Sequence, residues 1–439
     1  MIWVILGVSF LIRLIGLDQS LWLDEAISAN VARMPIIDIV KNFSVSDFHP
    51  PLYYLFLNVW TKIFGNGVVV MRMSSVLFSL VTIWLIYKIG KEIKNKKIGI
   101  WAAIFLGVNP LFIYFSQELR MYMMTVMLLT GALYFWIHSI KSEFRISWKN
   151  ILGFNVLIFL SFLTFYGSIF LTATMLLYLL INKKFKLFFL DSMGIILAIL
   201  VISPLLLTQI KYSGTMLTQV INWTLVLGKV NLKNLLLIPL KFSVGRVSWY
   251  PKIIYYATAG VWTLIVFGLV AKGLIKNKIW RWLMITPIIL GIIFSIKSPL
   301  LQYFRFLYLV PILALVLAIS IKSKVLKYLL TGGFLIFSVM YLFNSNMHRE
   351  DWKGLTADLN ENENIYMIES FADPIKYYNP KIKIRDIKAI EPSEDKITIV
   401  PFGGAIHGIN FFEKLEKLGY RRTFEKSYRE NKLEKWEMK

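Results

Sequence analysis

Asp24 and Glu25 are adjacent carboxylates in the string Leu21-Trp22-Leu23-Asp24-Glu25-Ala26, a few residues beyond the apolar stretch 2–17. Two neighbouring acids can ligate a hard divalent cation through their oxygens. They can equally serve a helix start, where free backbone N–H groups and the macrodipole favour negative charge. The chain otherwise keeps acids out of its apolar runs, so this pair is the first candidate for chemistry. Other polar groups recur where apolar runs end: His49 ahead of Pro50-Pro51, Arg72, Glu118 with Arg120 and Tyr122, and Arg305 after Gln302 and Tyr303. Charge in or beside a membrane span is expensive and usually serves a site, a pathway or an ion pair. The structural reading of these residues is ion pairing, for example Glu118 with Arg72, and arginines snorkelling to the interface. Arg13, inside the first apolar run, is read as snorkelling or paired.

The elements that must position these residues follow from composition. Hydrophobic residues make up 57% of the chain and charged residues only 17%, with mean hydropathy +0.61; globular proteins hold roughly 45–50% and 25%. The chain reads as a polytopic α-helical membrane protein. Its formal charge of +23 does not indicate nucleic acid, because that partner needs Lys and Arg clustered on a soluble face. Here they occupy short loops between apolar runs. Without cysteine, disulfides, thiolate zinc sites and cysteine nucleophiles are excluded. Residues 1–17 lack a basic leader and a small-residue cleavage site, and read as an uncleaved first span.

A helix needs roughly 20 residues to cross the hydrocarbon. The runs 2–17, 68–90, 98–116, 118–139, 150–165, 168–182, 187–209, 254–275, 280–296, 300–320 and 325–343 predict about eleven crossings on that criterion. Every second loop is basic: Lys91 to Lys97, then Lys141, Arg145 and Lys149, then Lys183 to Lys186, then Lys272 to Arg281, then Lys322 to Lys327. By the positive-inside rule these loops are cytoplasmic. The N-terminus is then cytoplasmic, and Asp24-Glu25, Gln117-Glu118, residues 210–253 and the C-terminal tail are extracytoplasmic.

The same alternation makes His49 to Gly65 an interfacial helix, since counting it as a span would invert every later loop. Residues Glu25 to Phe43 predict a second such helix, broken near Pro35. The stretch 210–253, holding Gln209, Lys211, Gln219, Asn222, Trp223 and Arg246 in and beside it, reads as another juxtamembrane lid. After about Phe343 charge rises and short β-like runs appear at 364–369 and 396–402, with amphipathic helices at 351–359 and 411–418. Residues 1–343 thus read as a membrane domain and 344–439 as a small extracytoplasmic soluble α/β domain. Gly403-Gly404 with Gly408 does not read as a nucleotide loop, for want of strand-to-helix context.

Taken in order, Ser20 to Ala26, His49-Pro50-Pro51-Leu52-Tyr53-Tyr54, Phe64-Gly65, Arg72 with Ser74-Ser75, Asn109-Pro110, and Ser116-Gln117-Glu118-Leu119-Arg120-Met121-Tyr122 resemble the polyprenyl-phosphate-sugar glycosyltransferases of the GT-C fold. That group includes the dolichyl-phosphate-mannose protein mannosyltransferases and the lipid A aminoarabinose transferases. The resemblance covers roughly the first 140 residues of the sequence. Gln302-Tyr303-Phe304-Arg305 with Pro311 is similar to a later segment of the same proteins, and the middle spans and C-terminal domain match only in layout.

The resemblance implies a GT-C type helical bundle, with juxtamembrane helices in the first external loop, at the cell membrane. It also implies transfer of a single mannose-like hexose from a polyprenyl- or dolichyl-phosphate donor to a lipid, glycan or protein hydroxyl, with inversion. Asp24 would be the general base and Glu118 would position acceptor or sugar. Glu25 would contact substrate, support Asp24 from behind or start a helix. His49, Arg72, Arg120 and Arg305 would contact the phosphate, and Tyr122 and Tyr303 would bond phosphate or sugar. Membrane lipids are implied as surroundings and for the donor's prenyl tail. A divalent cation is the internal alternative. The Trp-Trp-Asp string of oligosaccharide-transferring relatives is missing here, which favours transfer without metal. A transporter or flippase of lipid-linked sugars would also be polytopic with charged groups in a cavity, but such proteins often show repeated halves and helices interrupted near the midplane.

Overall fold

The computed structural model describes residues 1–141, 147–223, 227–392 and 394–439, without the side chains of Leu217 and Gln219. Arg145 and the Gln219 side chain, both part of the sequence reading, lie outside the described residues.

Helices α1 (Ile2–Leu14), α2 (Leu23–Val31), α3 (Leu52–Phe64), α4 (Val68–Ile93), α5 (Lys96–Val108) and α6 (Pro110–Ser116) open the chain. They are followed by α7 (Tyr122–Lys141), α8 (Trp148–Thr164), α9 (Ile169–Ile181), α10 (Phe185–Gln219), α11 (Leu232–Val244), α12 (Lys252–Lys276), α13 (Lys278–Ser295), α14 (Leu309–Ser320) and α15 (Lys324–Phe343). All of these except α2, α3 and α11 fall on the predicted apolar runs, with α5 and α6 sharing one. Among the described residues six helices are long and apolar enough to cross a membrane, and the α5–α6 pair makes a seventh. The other apolar helices, α1, α8, α9 and α14, are shorter than a straight crossing of the bilayer requires. Lipid-facing side chains such as Trp3, Leu200 and Leu264 leave large apolar surfaces exposed. The protein is a multi-pass membrane protein.

The up-and-down course is visible at the two ends. Ile93, Lys141, Tyr178, Lys184 and Asn277 meet around a cleft of about 420 Å³ at one end. Glu25, Arg72, Glu118 and Tyr341 meet at the other. The lysine-rich turns therefore share a face, opposite the acidic pair. Helices α4 and α5 make a tight hairpin because glycines face each other: a Cβ on Gly90 would lie 2.8 Å from the Gly99 Cα.

In the first long loop, α2 ends before Pro35 as expected, and the chain continues through a helical turn at Ile36–Asp38 and a five-residue π turn at Ile39–Phe43. Helix α3 occupies the stretch read as an interfacial helix; Asn58 on it donates to the Ala32 and Met34 carbonyls at 2.9 and 2.8 Å, tying it to the end of α2. The span expected to stop near residue 209 instead runs to Gln219, roughly 50 Å at 1.5 Å per residue. It projects beyond the hydrocarbon, and the Asn222 amide that follows donates to Ala405 O at 2.8 Å in the C-terminal domain.

Helices α5 and α6 bend by 65°. Pro110 has no N–H to continue the ladder, and Asn109 restarts it by accepting from Phe112 N at 3.0 Å. That bend carries the chain across the bundle end and presents Gln117 to Met121.

The C-terminal domain is a five-stranded sheet of β1 (Ile365–Met367), β2 (Ile384–Asp386), β3 (Lys396–Ile399), β4 (Tyr420–Tyr428) and β5 (Asn431–Met438), in the order β2-β1-β3-β5-β4. β1 pairs parallel with β2 and β3, while β5 runs antiparallel to β3 and β4. Period-two alternation sends Ile365 and Met367 to one core with Trp352 and Leu355, and Tyr366 and Ile368 to another with Phe411 and Trp436. Helices α16 (Trp352–Ala357) and α17 (Asp373–Tyr378) cover the first face and α18 (Phe411–Lys417) the second. The strands β1 and β3 and the helices α16 and α18 lie where the sequence predicts them; β2, α17 and the β4–β5 hairpin do not arise from that reading. The domain rests on the first loop. Asn30 donates to Asp373 O and Oδ1 at 3.0 and 2.9 Å, and Leu21 N to the Tyr378 hydroxyl at 2.7 Å.

Candidate active site

The start of α2 separates the two acids. Trp22 is the N-cap, and Glu25, at the third helical position, accepts from Trp22 N at 3.3 Å. Glu25 also accepts from Leu119 N at 2.7 Å and from Arg72 Nε and Nη2 at 2.9 and 2.5 Å. The remaining N–H groups of Arg72 reach the carbonyls of Leu17, Gln19 and Ser20 at 3.0, 2.7 and 3.2 Å. A guanidinium has five N–H donors, and here each is directed to a protein oxygen. Both residues are buried. Glu25 and Arg72, both expected to contact substrate, bind each other here, and Glu25 also takes the helix-start role. The ion pair anticipated between Glu118 and Arg72 is replaced by this one.

Asp24 is left as the open carboxylate. Its side chain is 36% exposed, against 6% for Arg120, whose Nη2 lies 3.7 Å from Asp24 Oδ2. Arg120 Nη1 donates weakly to Asp24 O and Ser28 Oγ, both at 3.3 Å, and its Nε has no partner. Tyr122 is buried beside this pair. Asp47 faces Arg120 too, with Oδ1 accepting from Phe48 N at 2.8 Å and Oδ2 enclosed beside Tyr54. Burial raises the Asp47 carboxyl above its ordinary value, against the pull of Arg120. His49 is held well below 6.5, first by burial and then by Arg120 and Arg305, so it is neutral at pH 7. It can donate or accept a hydrogen bond but brings no charge to a phosphate. Arg305, on the helical turn Tyr303–Phe306, has an enclosed Nη1 without a partner.

On the other side of the Glu25–Arg72 pair lies Glu118. Its carboxyl is buried, and neither oxygen has a well-formed hydrogen bond, although the Tyr114 hydroxyl is alongside. Burial pushes it up from 4.5 to about 7. Tyr114 in turn receives Arg246 Nη1 at 2.6 Å and Arg349 Nε at 3.2 Å, and Tyr303 lies in the field of both arginines. A cavity of about 10 Å³, room for about one water, separates Glu118 from Trp22, Tyr341 and Arg349.

The predicted residues thus converge at one bundle end, Asp24, Arg120, His49 and Arg305 around Tyr122, which also lies in the field of Glu118, with Tyr303 near Glu118. Asp47, Tyr114, Arg246 and Arg349 were missed as site residues. Asp47 sits two positions ahead of the His49-Pro50-Pro51 string, and Arg349 belongs to the charged run His348-Arg349-Glu350-Asp351 directly after the last span. Among the described residues no group of three His, Asp or Glu side chains is arranged to hold a metal ion. Asp24 and Glu25 could chelate together only if Glu25 gave up Arg72.

A bundle of apolar helices with a helical first long loop, a polar cluster at one end and a C-terminal sheet domain is the GT-C fold, and the chain has that fold. Residues 48–207 match the profile of the dolichyl-phosphate-mannose-protein mannosyltransferase family. ArnT from Cupriavidus metallidurans in the apo state superposes with a TM-score of 0.63 at 10% identity, over 98% of this chain and 97% of that one. The same protein bound to undecaprenyl phosphate gives 0.52 at 12% identity, with the same coverage. The archaeal oligosaccharyltransferase AglB from Archaeoglobus fulgidus, in complex with an inhibitory peptide and a dolichol-phosphate, gives 0.54 at 11% identity over 90% of this chain and 65% of that one. At such identities the likeness is one of fold. No curated protein sequence matches the chain.

Proposed function

We propose that this protein is a membrane glycosyltransferase that moves a single mannose-like hexose from a polyprenyl-phosphate donor to an acceptor hydroxyl outside the cytoplasm, with inversion. The observation that carries this reading is the division of labour at α2: Glu25 is consumed by Arg72, while Asp24 stays 36% exposed beside a buried arginine. The undecaprenyl phosphate and dolichol-phosphate bound by the two fold neighbours support a lipid-phosphate donor. Residues 1–343 form the catalytic domain, with the N-terminus cytoplasmic and residues 344–439 outside.

Asp24 accepts the proton of the acceptor hydroxyl as its oxygen attacks the anomeric carbon; a carboxylate within hydrogen-bond reach suits this step. The bond from that carbon to the phosphate oxygen breaks, and the phosphate leaves with the electron pair. Arg120 and Arg305, with free N–H groups, hold the departing charge, which planar donors do well. Neutral His49 and Tyr122 supply hydrogen bonds, and Glu118 orients the acceptor or the sugar. The site opens at a bundle end, so the prenyl tail stays in hydrocarbon while its headgroup reacts. Charged groups gathered at an end, rather than at midplane, favour transfer at the membrane face over transport through it.

The test is purified protein with a panel of polyprenyl-phosphate sugars and acceptors, with products identified by mass and anomeric configuration. Asp24→Asn is expected to abolish transfer while donor binding is kept. Full transfer by that variant would sink the base assignment, and loss of wild-type transfer on chelation would replace the metal-free mechanism.

A further inference from the structure

Arg349 lies outside the membrane helices. It follows α15 at the entry to the sheet domain, and its main chain is pinned there by the turn of the β4–β5 hairpin. Arg429 Nε donates to Arg349 O at 2.5 Å, and Asp351 N donates to Arg429 O at 3.0 Å. From that anchor the guanidinium reaches down into the bundle. It lies 3.8 Å over the ring of Trp22, the N-cap of α2, and bonds the Tyr114 hydroxyl at 3.2 Å. Arg349, Trp22, Tyr114 and Glu118 wall the same water-sized cavity. A cation stacked on an indole and bonded to a buried phenol is held on both sides, so its charge has a fixed place relative to Glu118.

We propose that Arg349 is a positioning residue through which the C-terminal domain completes the active site, its charge holding Glu118 and Tyr114 in their working arrangement. The soluble domain is then part of the catalytic centre, and the hairpin turn is the device that sets it. This rests on the role given to Glu118 above.

The groups facing Glu118 come from several elements. Tyr114 on α6, Glu25 on α2, Arg246 after α11 and Arg349 all act on its carboxyl, and Arg349 is the largest charge effect among them. Tyr53 on α3, Tyr122 on α7, Tyr303 before α14 and Tyr341 on α15 also lie in its field. Arg349 opposes the burial that raises Glu118, so removing its charge must raise Glu118 further, while a purely structural loss would not.

The experiment is an infrared pH titration of the protonated Glu118 carboxyl band, assigned by its absence in Glu118→Gln, on the full-length protein in detergent. Arg349→Gln is expected to move the midpoint up by about one pH unit, within the usual range for loss of a nearby opposite charge. Arg349→Lys is expected to bring it back most of the way. Arg429→Gln, which keeps the Arg349 side chain but cuts its anchor, is expected to shift it the same way by less, and serves if Arg349→Gln does not fold. An unchanged midpoint in the folded variants, or no recovery with lysine, overturns the proposal. The titration needs no substrate. A shifted midpoint in a protein that transfers no sugar would defeat the glycosyltransferase reading and leave the placement of Arg349 standing.

Discussion

Glu25 and Arg72, 47 residues apart, meet in a two-pronged ion pair with Nε–Oε1 of 2.9 Å and Nη2–Oε2 of 2.5 Å. Because Arg72 also gathers the carbonyls of Leu17, Gln19 and Ser20, one side chain ties the end of α1, the start of α2 and the body of α4 together. Removing one member of a buried pair strands the other, at about 3–5 kcal/mol. Arg72→Lys keeps the charge but not the planar fork. Both Arg72→Lys and Glu25→Gln are expected to lower the melting temperature in detergent and to reduce transfer. The double variant Glu25→Gln/Arg72→Gln is expected to lose less than the sum of its single changes, as contacting residues do. Strictly additive losses would show that the pair is not coupled.

Glu118 makes stability depend on pH. Its folded value is raised from 4.5 to about 7. Between those values the unfolded chain has released this proton and the folded chain still holds it. Stability therefore falls as pH rises through the window and levels off above it. Glu118→Gln removes that slope. The stability of the variant relative to wild type is expected to grow from pH 5 to pH 8 by on the order of 3 kcal/mol, since a tenfold change in proton binding is worth about 1.4 kcal/mol. Melting curves of both proteins at the two pH values decide it. A constant gap would mean that Glu118 ionises freely in the folded protein.

Gly245 places Arg246. It ends α11 with φ of 71° and ψ of −153°, a region open essentially to glycine. A Cβ there would come within 2.9 Å of the Pro110 Cβ. Gly245→Ala must therefore strain the backbone and push α11 away from α6, moving the next residue off the Tyr114 hydroxyl. The expected result is a loss of about 1–3 kcal/mol of stability from the forced backbone, together with a fall in transfer matching that of Arg246→Gln. Transfer unaffected by Gly245→Ala would place Arg246 outside the working site.

How much of this could be read from the chain depends on the scale of each signal. The helical columns and the alternation of their ends were legible because hydrophobic length and loop charge are local properties. Asp24, Glu118 and Arg120 were legible because they punctuate apolar runs. The partner of Glu25 was not, because nothing local distinguishes Arg72 from Arg120 as its counterion; only the geometry of the 17–23 loop does. Arg349 was missed because it stands in a charged stretch, where one more charge carries no surprise, and Arg246, though noted in the 210–253 segment, had nothing local to link it to Tyr114. The β4 strand was missed for a related reason: Tyr420 to Tyr428 is an edge strand with mostly exposed side chains, so it lacks the apolar alternation that marks a half-buried one.

Orientation can be tested without a background, because the chain has no cysteine. The lysine-rich turns share one end of the bundle with the cleft around Lys141 and Lys184, and the acidic site occupies the other. Lysine-rich short loops stay on the cytoplasmic side during insertion, so the proposed arrangement has the cluster around Asp24 facing outward. Lys97, in the first turn of α5, is exposed, and Lys396, on β3 of the sheet domain, has a side chain 78% exposed. In intact cells a membrane-impermeant maleimide is expected to label Lys396→Cys at once and Lys97→Cys only after permeabilisation. The reverse pattern would put Asp24 in the cytoplasm. It would remove the extracytoplasmic acceptor from the proposed reaction while leaving the fold and the Glu25–Arg72 pair as they are.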